Sequence, residues 1–291
     1  MTRALSWFFS AVALAAVALL VGIFVWQSVP VWRHEGWNYL VGAKWYFRQH
    51  QFGALSMIYG TLAVSTVALL LAAPLGVGAA VFIAEYLPKR LRLGLKVLIE
   101  LLAGVPSVVY GLLGILLLRD WIYDVFARFD PLSGDTLLTA GVLLAVMVLP
   151  TIVTLSDDAL RSVPATQRRA APGLGLTRAE TILSVSLPQA SRGLGSALLL
   201  ALGRAFGETI AVFLVVGRQD NNLPEHIFSM RPLLESGQML TSKLGSSETN
   251  IAYGDPLHWA AIVGLGLILL VLTGGLTLLG TVFGRRREHE A

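Results

Sequence analysis

Two charged residues interrupt an otherwise apolar stretch, and their types and spacing allow specific chemistry. Arg204 and Glu208 lie within LGSALLLALGRAFGETIAVFLVVG, which predicts a membrane-spanning helix over residues 193–217. Side chains four positions apart share one helix face, so the sequence predicts that the guanidinium and the carboxylate pair. Arg204 would lie about 15 Å into the span at 1.5 Å per residue. A charge at that depth costs about 2.5–3.5 kcal/mol, so it must face protein, water or a partner.

This charged pair has two interpretations, and the residues themselves keep both open. In the first, it is an ion pair within the membrane that only holds helices together. In the second, it is a weak site for an anion in transit. Arg204 then offers a planar set of hydrogen-bond donors to an oxyanion, and Glu208 neutralises Arg204 when the path is empty.

The composition places the pair in a membrane protein and excludes several other classes. Of 291 residues, 55% are hydrophobic and 14% are charged, whereas soluble domains are about 25% charged. The absence of cysteine excludes disulfides and thiolate metal sites, and the scattered histidines predict no metal site. No G-x-x-x-x-G-K-[ST] loop or Ser/His/Asp arrangement is present. We therefore expect passage of a solute rather than catalysis, and no bound ATP or nucleic acid.

Six apolar stretches predict the fold class: an all-α, polytopic membrane protein with six transmembrane helices. The stretches are about 7–25, 58–83, 101–118, 136–156, 193–217 and 259–284. The first is longer than the apolar core of a signal peptide, so we interpret it as an uncleaved helix. We divide the chain into residues 1–57 (the first helix and an external segment), a core of five helices over 58–284, and a basic tail over 285–291.

The distribution of basic residues fixes the orientation of these spans. Six crossings place both termini on one side, and the loops and ends of that side carry 13 Lys and Arg residues against 8 on the other. Basic residues favour the cytoplasmic side. Both termini and the polar loop over 156–194 are therefore expected in the cytoplasm. The loop over 218–257, called the external loop below, is expected outside.

The polar loop carries a recognisable motif. Ala170-Ala171, Gly175 and, nine residues on, Val185-Ser186-Leu187-Pro188 resemble the EAA loop of ABC-transporter permeases. In that family the loop forms a short cytoplasmic helix that docks on a separate ATPase. The resemblance implies coupling roles for Arg169, Ala170, Ala171, Gly175, Leu187 and Pro188.

Two further motifs narrow the resemblance. Residues 204–212, RAFGETIAV, are similar to the R-A-x-G-E-T-x-A-V of phosphate-specific ABC permeases of the Pst type, and more to the PstC-like subunit than to its PstA-like partner. Residues 100–111, ELLAGVPSVVYG, resemble the third helix of that family. Residues 58–86 are similar to its second helix. The resemblance covers residues 58 to 217.

The resemblance implies a function, a fold and a set of partners. The fold would be that of a type I, MetI-like importer permease in the bacterial inner membrane, moving inorganic phosphate. The partners would be a PstA-like permease subunit, two ATPase subunits that bind ATP and Mg²⁺, and a periplasmic phosphate-binding protein. The implied substrate pathway contains Arg204, Glu208, Glu100, Ser107 and Tyr110. For Ser107 and Tyr110, helix packing and a hydrogen bond at a proline kink remain the alternative.

The chain departs from the family pattern in the EAA loop. Arg169 stands where the family has glutamate, and Pro172-Gly173 stand where it has helix-favouring residues. Proline costs about 3 kcal/mol and glycine about 1 kcal/mol inside a helix, so we expect the coupling helix to be shortened or broken at Ala171. For Arg169 we hypothesise a matched acidic ATPase surface, with a charge-tolerant turn as the alternative. A permease for another oxyanion or solute, or a membrane sensor that has lost coupling, remain the alternative functions.

Overall fold

Helices make up most of the protein in the computed structural model, which describes residues 2–224 and 231–285. The predicted all-α class is confirmed. Residues 225–230 of the external loop and 286–291 of the predicted basic tail lie outside the described residues. The α-helices in chain order are α1 (Thr2–Glu35), α2 (Asn38–Val41), α3 (Leu55–Val81), α4 (Lys89–Ala103), α5 (Ser107–Leu113), α6 (Arg119–Val125), α7 (Leu137–Arg161), α8 (Ala165–Gly173), α9 (Arg178–Thr181), α10 (Leu187–Gly207), α11 (Ile210–Val215), α12 (Leu240–Leu244), α13 (Glu248–Ala252) and α14 (Pro256–Arg285).

Short elements of other types join or extend these helices. Five-residue π-helical turns continue α3, α5 and α9 at Phe82–Tyr86, Gly114–Leu118 and Ile182–Ser186. Two short strands, β1 (Trp45–Tyr46) and β2 (Gln51–Phe52), form an antiparallel hairpin in which Trp45 pairs with Phe52. Short 3₁₀ turns occupy Phe47–Gln49, Ala127–Phe129 and Arg231–Leu234.

Four helices in the described parts of the chain are long and apolar enough to cross a membrane. They are Leu5–Glu35, Leu55–Tyr86, Leu137–Arg161 and Pro256–Thr281. The predicted third span, about 101–118, is divided at a sharp bend, because Arg90–Ala103 and Ser107–Val125 meet at 84°. Pro106 disfavours helical geometry at the residue before it, which ends α4. Counting this bent pair as one span gives five. The predicted span over 193–217 is divided between α10 and α11, so length and composition do not reproduce six.

The core forms where α3 lies against α7, and small residues set their separation. A Cβ at Gly76 of α3 would lie 2.6 Å from Cγ2 of Ile152, and one at Gly141 of α7 would lie 2.6 Å from Cγ1 of Val67. Buried alanines of α10, Ala201 and Ala205, join the same core. The helices therefore pack closely through apolar surface, as expected where lipid offers no hydrophobic drive for association.

The predicted break in the coupling helix at Ala171 is wrong, because α8 continues through Pro172 to Gly173. Proline lacks an N–H, but in the last turn of a short helix this removes a single hydrogen bond. The end of α8 is a Schellman motif: the N–H of Gly175 donates to the Pro172 carbonyl at 3.0 Å, and the N–H of Leu176 to the Ala171 carbonyl at 3.2 Å. Gly175 has φ +85°, which glycine adopts without strain.

The described part of the external loop is folded rather than solvated. Residues 237–243, called the buried external segment, are all buried. A Cβ at Gly60 of α3 would lie 2.1 Å from the carbonyl oxygen of Gln238, so only glycine admits this backbone. The hydroxyl of Thr61 accepts a hydrogen bond from the N–H of Leu240 at 3.0 Å. The loop is thus inserted against α3.

A buried charge cluster holds this segment in place. Lys243 is 1% exposed, and its Nζ lies 2.6 Å from Asp220 and 2.5 Å from Glu248. Glu248 also accepts hydrogen bonds from Nε1 of Trp45 at 2.6 Å and lies 2.8 Å from Nε2 of His258. The cluster therefore joins the hairpin, the external loop and the start of α14. Removing one charge from such a buried cluster leaves another without its partner, which strongly destabilises the fold.

Both carboxyl groups that contact Lys243 have shifted pKa values. Burial raises the pKa of Asp220, although Lys243 opposes the shift. Burial also acts to raise the pKa of Glu248, but the hydrogen bonds and charge of Lys243, with those from Trp45 and His258, outweigh it and hold that pKa below its usual range. Because the folded pKa of Glu248 lies below the unfolded value, its stabilisation is complete at neutral pH and is lost as the pH falls through the folded pKa.

We predict that Glu248→Gln destabilises the protein by on the order of 3 kcal/mol, because Lys243 stays buried with one carboxylate. The thermal unfolding temperature of the detergent-purified protein measures the effect. Asp124→Asn removes an exposed charge from α6 and serves as the control. Equal unfolding temperatures for the two variants would contradict a structural role for the cluster.

Candidate functional site

The predicted ion pair between Arg204 and Glu208 is not formed, because the helix ends between them. α10 stops at Gly207, and Glu208 is extended, with φ −71° and ψ 125°. Glu208 therefore leaves the face that Arg204 occupies. Its Oε1 accepts a long hydrogen bond, 3.4 Å, from the N–H of Ala211 at the start of α11. The two residues flank a break in the predicted fifth span.

Arg204 is held by a different helix. Its Nη1 donates to the hydroxyl of Thr151 at 2.8 Å. Within the described residues this is the one hydrogen bond of its side chain, and the side chain is exposed on the single chain. The remaining guanidinium donors are therefore available to another group. Thr151 lies about 15 Å before the end of α7 at Arg161, so the contact is near the middle of a candidate membrane span.

The helix break also favours the positive charge of Arg204. Arg204 belongs to the last turn of α10, where carbonyl groups without helical partners carry partial negative charge. A continuous helix would have satisfied those carbonyls. The break thus supplies negative potential beside the arginine.

The predicted residues of the ELLAGVPSVVYG motif lie on both sides of the bend between α4 and α5. Glu100 is exposed in the last turns of α4, and Ser107 is half-buried at the first position of α5. The Tyr110 hydroxyl donates to the carbonyl of Leu102 at 2.9 Å, across the bend. Tyr110 therefore makes the kind of hydrogen bond that the proline-kink alternative predicts, and its place in the substrate pathway stays a prediction. None of these three side chains contacts Arg204 or Glu208 through a hydrogen bond or ion pair within the described ranges.

The backbones around the break are brought together by glycines. A Cβ at Gly111 of α5 would lie 3.1 Å from the Cα of Ala211, so α5 crosses α11 directly after the break. From the external loop, a Cβ at Gly245 would lie 3.0 Å from Cγ2 of Thr209. α5, α7 and the end of α12 therefore flank the break, while Arg204 and Gly207 are exposed. The external loop, which sequence reasoning left unassigned, contributes to this site.

The predicted coupling residues lie close together near the end of α7. Arg169 and Ala170 are exposed on α8, Ala171 is buried beneath them, and Gly175 ends the helix. Leu187 and Pro188 begin α10, and Leu187 packs on a small core with Ala190 and Leu160. One side of α8, with Arg169 and Ala170, therefore faces outward, and the opposite side, with Ala171, is buried against the rest of the protein.

The sequence did not predict Thr151 as the partner of Arg204. Thr151 follows Pro150 inside an apolar helix, and a hydroxyl in that position is usually assigned to a backbone hydrogen bond. Its partner lies 53 positions along the chain. No spacing rule within one helix could have found it.

The fold is that of an ABC importer permease. It is similar to a chain of the MetNI methionine ABC transporter in an inward-facing conformation, with a TM-score of 0.54, 18% identity, and coverage of 79% of this chain and 93% of that chain. Residues 72–289 match the family described as binding-protein-dependent transport system inner membrane component.

The relatives in sequence are more specific. The chain is 33% identical over 285 aligned positions to the phosphate transport system permease protein PstC of Mesorhizobium japonicum, covering 90% of this chain and 84% of that protein. It is 39% identical over 240 positions to PstC 1 of Mycobacterium tuberculosis, covering 76% and 69%. The chain belongs to the family of binding-protein-dependent transport permeases, among its PstC members, which are non-catalytic membrane components. The likeness extends well beyond residues 58–217.

We predict that Tyr110→Phe destabilises the protein by about 1 kcal/mol, because the Leu102 carbonyl at the bend loses its donor. The unfolding temperature in detergent should fall, while Tyr123→Phe, which changes an exposed tyrosine of α6, should leave it unchanged. If both variants unfold at the same temperature, the hydroxyl of Tyr110 does not support the bend.

Proposed function

We propose that this chain is the transmembrane permease subunit of an ATP-driven importer that moves inorganic phosphate across the bacterial inner membrane, with both termini in the cytoplasm. The observation that carries the proposal is the exposed guanidinium of Arg204, held by Thr151 at mid-span beside a helix break. The PstC relatives carry phosphate transport in their names, which supports phosphate as the solute.

The exposure of Arg204 implies where the path runs. A guanidinium cannot lose its charge in a protein, and facing hydrocarbon would be costly. Its exposed side therefore faces a water-filled path shared with a second, PstA-like permease subunit. The planar guanidinium can donate two parallel N–H bonds to two oxygens of a tetrahedral phosphate. Glu208, across the break, lowers the net positive charge, so that phosphate binds weakly enough to leave.

The energy for transport comes from other chains. Two ATPase subunits bind ATP and Mg²⁺ and dock on α8, and a periplasmic phosphate-binding protein delivers the solute to the external side. This chain itself binds no cofactor and contacts membrane lipid. Glu100 and Ser107 remain proposed members of the path, because both lie beside the bend that adjoins α11.

The alternatives are a permease for another oxyanion or solute, and a sensor of the same fold that has lost coupling. The sensor rested on the expected damage to the coupling helix. An α8 that runs to Gly173 and ends in a Schellman motif instead supports a working coupling surface. The permease is therefore preferred over the sensor.

We predict that Arg204→Gln reduces uptake of labelled phosphate at least tenfold, because glutamine keeps a donor but loses the charge that binds the anion. Uptake is measured in phosphate-starved cells carrying the complete transporter, at equal membrane levels of each variant. Arg128→Gln removes an exposed positive charge near the end of α6 and should transport normally.

Variants of Thr151 test the geometry of the same site. Thr151→Ser keeps the hydroxyl and should transport like the native chain, whereas Thr151→Val should raise the KM for phosphate. If Arg204→Gln takes up phosphate as fast as the native chain, Arg204 has a structural role only. Absence of phosphate uptake by the native chain would point to another solute.

For Arg169 we propose an acidic docking surface on the ATPase, since Arg169 is exposed on α8 and opposite charges favour association. Arg169→Glu should lower ATP-dependent uptake with the chain's own ATPase. Higher uptake in this variant would contradict the proposal.

A further inference from the structure

Three arginines from three helices converge on one turn at the cytoplasmic end of α3. This turn, Phe82–Tyr86, is π-helical, a geometry that is rare and often found at functional positions. The helix does not continue regularly past this turn, so the carbonyl groups of the turn lack the usual helical donors. Arg92 of α4 donates to the carbonyls of Ile83 at 2.9 Å and Ala84 at 2.5 Å. The turn is thus fixed by side chains rather than by helix geometry.

The second arginine comes from the coupling helix. Nη2 of Arg168 in α8 donates to the carboxylate of Glu85 and, at 3.1 Å, to the carbonyl of Leu160 near the end of α7. The Glu85 side chain is 14% exposed and that of Arg168 is 23% exposed. One guanidinium therefore attaches α8 to both α3 and α7, in a partly buried setting where charge-assisted hydrogen bonds are strong.

The third arginine approaches from the other side of the coupling loop. Arg178 of α9 donates to the backbone carbonyl of Glu85. Its guanidinium also lies over the ring of Tyr86 at 4.8 Å, a favourable cation–π distance. Glu85 thus receives a bond on its side chain from α8 and one on its backbone from α9.

We infer that Glu85 is a positioning residue through which displacement of α8 reaches α3 and, with it, the transport site. An arginine–carboxylate pair resists separation, so α3 follows α8 when the ATPase moves it. α3 packs against α7 through Gly76 and Ile152, and the adjacent residue Thr151 holds Arg204. The contacts therefore form a continuous connection from the coupling helix to the charged group. The inference rests on the proposed function only in that an ATPase drives this chain.

The test separates coupling from folding. The transporter is reconstituted in proteoliposomes with its ATPase subunits and binding protein, and phosphate uptake and ATP hydrolysis are measured together. Glu85→Gln should lower the phosphate taken up per ATP at least fivefold, while the ATPase still copurifies. The exchanged pair Glu85→Arg with Arg168→Glu should recover at least half of the native ratio. Asp124→Asn, the same kind of charge removal on exposed α6, should leave it unchanged.

A second readout does not depend on the solute. The chain contains no cysteine, so spin labels can be placed on single introduced cysteines at Ala165 of α8 and Leu75 of α3, both exposed. We expect the distance between the labels to be the same with and without ATP in the native chain, and to change with ATP in Glu85→Gln.

The outcomes are distinguishable. An unchanged ratio in Glu85→Gln, or no recovery in the exchanged pair when both variants assemble, would overturn the inference. So would equal losses of uptake and hydrolysis, which indicate a structural role. If the native transporter takes up no phosphate, the proposed substrate fails and the label distances alone decide the role of Glu85. Distances that respond to ATP equally in native and variant chains would then overturn it.

Discussion

A permanently charged arginine in the middle of a membrane-spanning bundle is the constraint on which the rest of this structure depends. Arg204 cannot be neutralised by deprotonation, and its cost in hydrocarbon must be offset locally. Two features do so: the hydroxyl of Thr151 accepts one of its hydrogen bonds, and the end of α10 places unpaired carbonyls beside it. A broken helix is tolerated within a membrane only where it is buried in protein or lines water. α5, α7 and the end of α12 pack against one side of the break, and the proposed water-filled path would meet the requirement on the other side, where Arg204 and Gly207 are exposed.

Sequence patterns predicted the features that depend on local composition or on a motif. The long apolar helices, the polar loop with its coupling motif, and the Pst-type resemblance followed from hydropathy and spacing. The errors lie where distant contacts override local preference. Helical periodicity placed Arg204 and Glu208 on one face, but the chain leaves the helix at Glu208, and Thr151 supplies the partner. Propensity predicted a break at Ala171, but Pro172 falls in the last turn of α8, where its missing N–H matters least. The role of the external loop could not be predicted, because its polar residues find partners only in the fold, as Lys243 does with Asp220 and Glu248.

The two ends of the molecule are built by the same means. At each end, a poorly exposed charged residue makes hydrogen bonds to several elements: Lys243 and Glu248 within the external loop, and Glu85 with Arg168 beside α8. Between them, α3 and α7 pack through glycines and alanines, with little side-chain volume to deform. The polar contacts are therefore concentrated at the ends, and the apolar middle transmits displacement as a rigid body. Arg204 lies where that rigid pair meets the broken helix.

The three π-helical turns limit which insertions and deletions this protein can accept during evolution. A π turn holds one residue more than an α-helical turn of the same span, and each residue rotates a helix by about 100° at 3.6 residues per turn. Deleting one residue from Phe82–Tyr86 would convert the turn to an α-helix and swing Glu85 away from Arg168. The same loss in Ile182–Ser186 would rotate α9 against α10. Descendants of this sequence can therefore exchange side chains at these turns far more readily than they can lose or gain a single position.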